Sequence, residues 1–164
     1  MEPEPQPIEP APSDASSLTR QLAHLATAFQ CVTDADDAST AIARAAMEAT
    51  SATAARVWTL NEDGQYWHAA CIGLRPNDDQ PTGFEKQVVV SDQAHMNGAG
   101  THTWLSAPVR LANGMVIGIL SLVRADSPFD DDAAASAAAY AQLLANALDH
   151  AALYRQLLRR VDTN

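Results

Sequence analysis

The sequence predicts an α+β fold: an antiparallel β-sheet of about five to six strands, with N- and C-terminal helices packed on one face. Three observations carry this expectation. Apolar, β-compatible runs are joined in pairs by two short turns, Asn61-Glu62-Asp63-Gly64 and Ala112-Asn113-Gly114, and Asn-Gly is a strong hairpin signal. Before the first hairpin, apolar residues recur at steps of three and four, the period of a helix face. After the second hairpin the same period returns and is sustained to the C-terminus. Hairpins make a sheet antiparallel, and helices at the two ends of the chain cover one of its faces.

The elements follow in order. Residues 1–15 carry Pro3, Pro5, Pro7, Pro10 and Pro12 among acidic side chains and are expected to be a disordered tail. A single domain is expected over residues 16–161, with 162–164 as a short tail. Leu18, Leu22, Leu25, Phe29 and Val32 form one face of a first helix. A second helix starts at Asp37 or Ser39 and buries Ile42, Ala45, Ala46 and Ala49. Ala55 to Leu60 and Gln65 to Ile72 make the first hairpin. Gly73 to Glu85 reads as a loop, Lys86 to Val90 as a short β-branched strand, and Ser91 to Gly100 as another loop. Thr103 to Leu111 and Met115 to Val123 make the second hairpin. Asp130 caps the last helix, and Asp131 and Asp132 lie in its first turn, where the helix dipole favours negative charge. In that helix Ala137, Leu144, Ala151 and Leu158 repeat every seven residues, with Ala141, Leu148 and Val161 on the adjoining row, the pattern of a seam against another helix.

Composition bounds the function. The 164 residues are 47% hydrophobic but only 5% aromatic, so Trp58, Trp67, Trp104, Phe29 and the leucines are the expected anchors of an alanine-rich core. A formal net charge of −10 repels phosphate backbones and anionic membranes, so neither nucleic acid nor membrane is an expected partner. Arg155, Arg159 and Arg160 complement the negative end of the last helix. No apolar run approaches the roughly 20 residues that span a bilayer, and the N-terminus lacks the pattern of a signal peptide; a cytoplasmic location is the expectation.

The stretch from Trp104 to Tyr154 resembles the C-terminal half of a GAF domain. The residues that carry the likeness are Ala107-Pro108-Val109, the turn at Gly114, the strand Val116-Ile117-Gly118-Ile119-Leu120-Ser121-Leu122, the helix start Phe129-Asp130, and Ala152-Leu153-Tyr154. The earlier segment from Ala41 to Leu74 is similar to the first half of that family, and the likeness covers about residues 18 to 158. These motifs are structural. Gly118 is expected to permit close packing on the sheet and Pro108 to mark a strand irregularity. The resemblance implies a sensory or regulatory module that binds a small molecule such as a cyclic nucleotide, a tetrapyrrole or haem, or that dimerises and passes conformational change along its terminal helices. It also implies a lid over the sheet, and the stretch from Gly73 to Trp104 reads as short and poor in apolar residues for that purpose.

Chemistry-bearing groups are sparse. The Asn-Lys…Phe…Asp-Glu pattern of the cyclic-nucleotide subfamily is not found, and the loop before Pro108 lacks a bilin-linking cysteine. The sulfoxide-reducing relatives place cysteines near the lid, which neither Cys31 nor Cys71 matches. Cys71 is expected to alternate with Trp67 and Ala69 on one strand face as a small hydrophobe. His95 and His102 flank a glycine-containing loop with Asp92, without a recognised metal-ligand spacing, and His24, His68 and His150 read as ordinary side chains. Asp130, Asp131 and Asp132 lack the calcium-loop spacing, Gly98-Ala99-Gly100 is too short to cradle phosphate, and no Ser, His and acid grouping assembles.

The function expected is therefore a non-enzymatic cytosolic signalling domain with no metal site and no assigned cofactor. Homodimerisation is expected through Leu18, Leu22, Leu25, Phe29, Leu144, Leu148, Tyr154 and Leu158, with the C-terminal helix able to continue into an output domain or to meet a partner protein. Candidate ligand-pocket residues are Trp58, Trp67, Cys71, His102 and Trp104, since indoles offer stacking area to a planar ligand. The alternatives are a tetrapyrrole or other small-molecule sensor with a true pocket, a structural dimerisation module whose pocket is filled by its own side chains, and a thiol-based reductase using Cys71.

Overall fold

The computed structural model describes residues 20, 35–74, 80–91, 94–97, 102–125 and 127–163. The acidic tail, the first helix face, Cys31, His24, Asp92 and the Gly98-Ala99-Gly100 loop lie outside these residues.

Helix α1, Ala35–Thr50, opens with Asp36 and Asp37 in its first turn, where their charge suits the exposed backbone N–H groups. It buries Ala38, Ile42, Ala43 and Ala46, and small side chains bring its backbone close to the sheet. Ser51, at φ 55°, takes the left-handed conformation that ends it. The Arg124 guanidinium donates to the Thr50 carbonyl and, at 2.8 Å, to that of Pro128, so one side chain satisfies the end of α1 and the approach to the last helix.

The strands are β1 (Ala54–Leu60), β2 (Tyr66–Ile72), β3 (His95–Asn97), β4 (Thr103–Arg110) and β5 (Val116–Arg124). They form one antiparallel sheet in the order β2-β1-β5-β4-β3, with both expected hairpins in place. Pairing of Thr59 with Gly118 explains the glycine: a Cβ there would lie 2.4 Å from the Trp58 carbonyl oxygen. The irregularity expected at Pro108 falls one residue later, as a register shift between Val109 and Arg110.

Helix α2, Gly83–Ser91, occupies the stretch expected to hold a strand. The run Val88-Val89-Val90 suggests β structure by propensity, but Thr82 and Glu85 form a reciprocal helix start that prevails. The Thr82 hydroxyl accepts from the Glu85 N–H at 3.3 Å, and the Glu85 carboxylate accepts from the Thr82 N–H at 3.1 Å. The third expected strand lies later, at β3, inside the stretch read as a loop.

Helix α3, Asp131–Asp162, is capped by the Asp130 carboxylate, which accepts from the Ala133 N–H at 2.7 Å. Ala137, Tyr140, Ala141, Leu144, Leu148 and Ala151 face the sheet and α1. Beyond Ala151 the helix leaves the core and its remaining turns are exposed.

The two faces of the sheet differ. Ala55, Val57, Leu105, Ala107, Val109, Leu120 and Leu122 point to α1 and α3 and make the main core. The alternate residues Arg56, Trp58, Trp104, Ser106, Ile119, Ser121 and Val123 point to the opposite face, on which α2 sits.

Candidate functional site

The outer face carries an ionic cluster at its centre. Arg56 on β1 and Glu85 on α2 form an ion pair with side chains only 3% and 0% exposed. Arg56 presents Nε at 3.0 Å to Oε2, while its Nη2 donates to Oε1, so the guanidinium grips the carboxylate with both prongs of its fork. Oε2 also accepts from the Trp58 indole N–H at 3.1 Å and from the Ser121 hydroxyl at 2.7 Å. Oε1 also accepts from the N–H and the hydroxyl of Thr82, at 3.1 and 3.2 Å. Ser106 Oγ lies 2.7 Å from Ser121 Oγ and backs it from β4.

Aromatic rings fix the guanidinium in place. Its Cζ lies 4.8 Å from the Trp104 ring centroid and 5.5 Å from that of Trp58. The Trp58 ring is covered in turn by His68, at 3.8 Å between centroids, and met edge-on by Tyr66. Two charges have thus been taken out of water, and each is neutralised by the other and by hydrogen bonds to nearly every lone pair of the carboxylate. Burial pushes the Glu85 carboxyl up, but hydrogen bonds from Arg56 and Ser121, the Arg56 charge and the Thr82 N–H outweigh it. The net result lies below the ordinary carboxylate range, so Glu85 is ionised at neutral pH.

The residues expected to line a pocket separate. Trp58 is fully buried and Trp104 half-buried, both in the ionic cluster. Trp67 is 61% exposed and pairs with Thr59, which places it on the helix-covered side of the sheet beyond the helices. The cause is a bulge in β2. Val57 pairs with Ala70 but Trp58 pairs with His68, so Ala69 is the extra residue and every side chain before it changes face. Cys71 therefore does not share a face with Trp67; it lies opposite Arg56 in register, half-buried, with Sγ donating to the Leu74 carbonyl at 3.4 Å. His102 is exposed at the entry to β4. His95 pairs through its ring with the Ser91 hydroxyl at the end of α2, and not with His102. Among the described residues no group of three or more His, Cys, Asp and Glu side chains could hold a metal ion.

The sequence reading passed over Arg56, Glu85 and Ser121. Thr82-Gly83-Phe84-Glu85 is a capping-box pattern and was the available signal for α2. Nothing comparable marks Arg56, whose only cue is a charge inside an otherwise apolar strand.

On the expected dimer row, Leu144 and Leu148 are buried in the protomer's own core, whereas Tyr154 and Leu158 are exposed. Leu18, Leu22, Leu25 and Phe29 lie outside the described residues. No helix among the described residues is long and apolar enough to cross a membrane.

A five-stranded antiparallel sheet with a helical layer on one face, and a short helix closing a polar site on the other, defines a two-sided α+β domain. The chain belongs to the GAF domain family, whose model matches residues 34–148. This is a family of typically regulatory and sensory domains. The chain is similar in structure to the GAF domain of an Acinetobacter phosphoenolpyruvate-protein phosphotransferase, at TM-score 0.71 and 15% identity over 85% of this chain and 98% of that one. It is also similar to the GAF domain of a putative sensor histidine kinase from Pseudomonas syringae pv. tomato, at TM-score 0.70 and 14% identity over 90% and 95%. A third likeness is to the free methionine-R-sulfoxide reductase of Neisseria meningitidis, at TM-score 0.72 and 14% identity over 88% and 96%, so enzymes also share this fold. At these identities the likeness is one of fold. No match was found among curated proteins.

Proposed function

We propose that this chain is a non-enzymatic cytoplasmic regulatory domain that pairs with a second copy through the end of α3 and relays the state of its outer sheet face along that helix. The observation that carries the reading is the projecting end of α3. Leu153 and Leu157 form one exposed row, and Tyr154, Leu158 and Val161 form the next, at the three- and four-residue steps of a helix–helix seam. An apolar stripe of this kind is unfavourable in water and is relieved by a second helix. Sensor kinases and chemotaxis proteins among the structural likenesses support a signalling role.

The outer face supports regulation over catalysis. Its central groups are a neutralised ion pair, and Cys71 is engaged with a backbone carbonyl. Glu85 stands where a large planar ligand would have to lie, which favours a small effector or none over a tetrapyrrole.

Light scattering on the purified chain tests the pairing. A dimer is expected for the native sequence and a monomer for Leu157→Glu/Leu158→Glu, with the circular dichroism of a folded core retained, because both residues lie beyond Ala151, where the helix is exposed. A monomeric native chain would refute the relay.

A further inference from the structure

We propose that the outer face of the sheet is a receptor for a small monocarboxylate, in which Glu85 stands as the built-in occupant, and that an external carboxylate displaces Glu85 and frees α2.

The donors are divided unequally. Four of them, Arg56 Nε and Nη2, Trp58 Nε1 and Ser121 Oγ, belong to β1 and β5. Those two strands lie inside the sheet with a partner on each side, so their side chains keep their positions wherever α2 lies. Ser106 backs Ser121, and the rings of Trp58 and Trp104 flank the guanidinium, so the sheet supplies and orients these donors. A bidentate arginine flanked by two further donors is complementary to one planar carboxylate.

The occupant sits on a short helix. Of the nine residues of α2, only Glu85 and Val88 are buried, and Val90 is 87% exposed. Phe84 and Val89 are half-buried, Phe84 meets the His95 ring edge-on, Lys86 lies over the Tyr66 ring and the Ser91 hydroxyl pairs with His95. The helix thus rests on two buried side chains and on contacts along its rim, and an element of nine residues held in this way opens more readily than the core. Thr82 supplies the remaining two donors from the chain leading into α2, and it would leave with the helix.

The ligand class follows from charge and surroundings. Arg56 meets the single carboxylate of Glu85 with both prongs of its fork, so one carboxylate group is the matching ligand, and a formal net charge of −10 disfavours multiply charged anions. The residues of β5 beside Ser121 on this face are Ile119 and Val123, both buried, so a short apolar tail suits the space that Glu85 and Val88 vacate. Glu85 is a tethered competitor, so an external carboxylate acts on the native chain only at concentrations well above those that suffice once Glu85 is removed.

This deepens the regulatory reading by naming the class of effector, and its test is made at the sheet. A monomeric chain that binds carboxylate would sink the relay and leave the receptor standing. The probe is propionate, with propionamide and sodium chloride at matched ionic strength as controls, read by tryptophan fluorescence on the native chain, Glu85→Ala, Glu85→Gln and Arg56→Met/Glu85→Ala. Expected are saturation by propionate alone in the native chain, at least about tenfold tighter saturation in Glu85→Ala, where the tethered competitor is gone, and no saturation once Arg56 is replaced. If Glu85→Ala is unfolded, propionate and not propionamide should restore its circular dichroism. A folded Glu85→Ala without propionate-specific saturation overturns the proposal. So does an unfolded Glu85→Ala that propionate fails to restore, when Glu85→Gln also fails to respond. Hydrogen exchange of residues 83–91 should quicken in the native chain at saturating propionate; unchanged protection overturns the displacement of α2.

Discussion

Replacing Arg56 with methionine removes the positive half of the buried pair while keeping the length and apolar stem of the side chain. Glu85 is then left with hydrogen bonds from Trp58, Ser121 and Thr82 but with no counter-charge, at 0% exposure. Breaking a buried pair in this way costs about 3–5 kcal/mol, because the remaining charge stays desolvated. For a chain of this length that lowers Tm by about 10 °C or more. The double variant Arg56→Met/Glu85→Met removes both charges and leaves the Trp58 N–H, the Ser121 hydroxyl and the Thr82 donors without their carboxylate acceptor. It should therefore be no less stable than Arg56→Met alone, with a coupling of at least about 1 kcal/mol between the two sites. The pH dependence separates this account from simple loss of packing. Without Arg56, burial dominates and raises the Glu85 carboxyl, so the variant recovers stability as pH falls from 7 toward 5 and the carboxyl takes up its proton. Urea denaturation of the native chain, Arg56→Met, Glu85→Met and the double variant at pH 7 and pH 5 makes the measurement. An Arg56→Met variant within about 1 kcal/mol of the native chain, or strictly additive single substitutions, would refute the view that the pair organises the outer face.

Three further outcomes are expected. In the native chain Glu85 titrates below its unfolded value of about 4.3, so its contribution is complete above that pH and is lost as pH falls through the folded value; urea midpoints between pH 6 and 3 should fall more steeply for the native chain than for Glu85→Gln, and parallel profiles would count against it. Gly118→Ala drives a methyl group to 2.4 Å from the Trp58 carbonyl between two central strands, and a loss of about 3 kcal/mol in chemical denaturation is expected, since neither backbone can yield without breaking the ladder. Trp58→Phe leaves Glu85 without one donor and opens a void under His68, at a cost of about 2 kcal/mol or more, whereas Trp67→Phe on the exposed side should stay within about 0.5 kcal/mol; equal effects would contradict the placement of the two indoles.

What the sequence by itself determined are the features with local causes. Both hairpins follow from turn residues whose backbone needs are met within a few positions, as at Gly64 and Gly114, which take φ of 80° and 90°. The last helix follows from an aspartate cap and a sustained period, and the two-layer core from alternation along β4 and β5. Glycine at position 118 was recognisable as a close approach, though not what it approaches. Helix α2 was legible in principle, because Thr82 and Glu85 stand at capping-box spacing, but three consecutive valines argued for a strand, and propensity alone does not decide a segment that lies on a sheet instead of within it.

Only the tertiary structure decided the site. One extra residue in β2, Ala69, turns Trp67 away from Trp58, and a bulge leaves no mark in a run as uniform as Trp67-His68-Ala69-Ala70-Cys71. Arg56 and Glu85 are separated by 29 positions, and each alone reads as a solvated charge. Packing α2 on the outer face puts both out of water, where a charge persists only with its partner, and that coupling exists between elements, not along the chain.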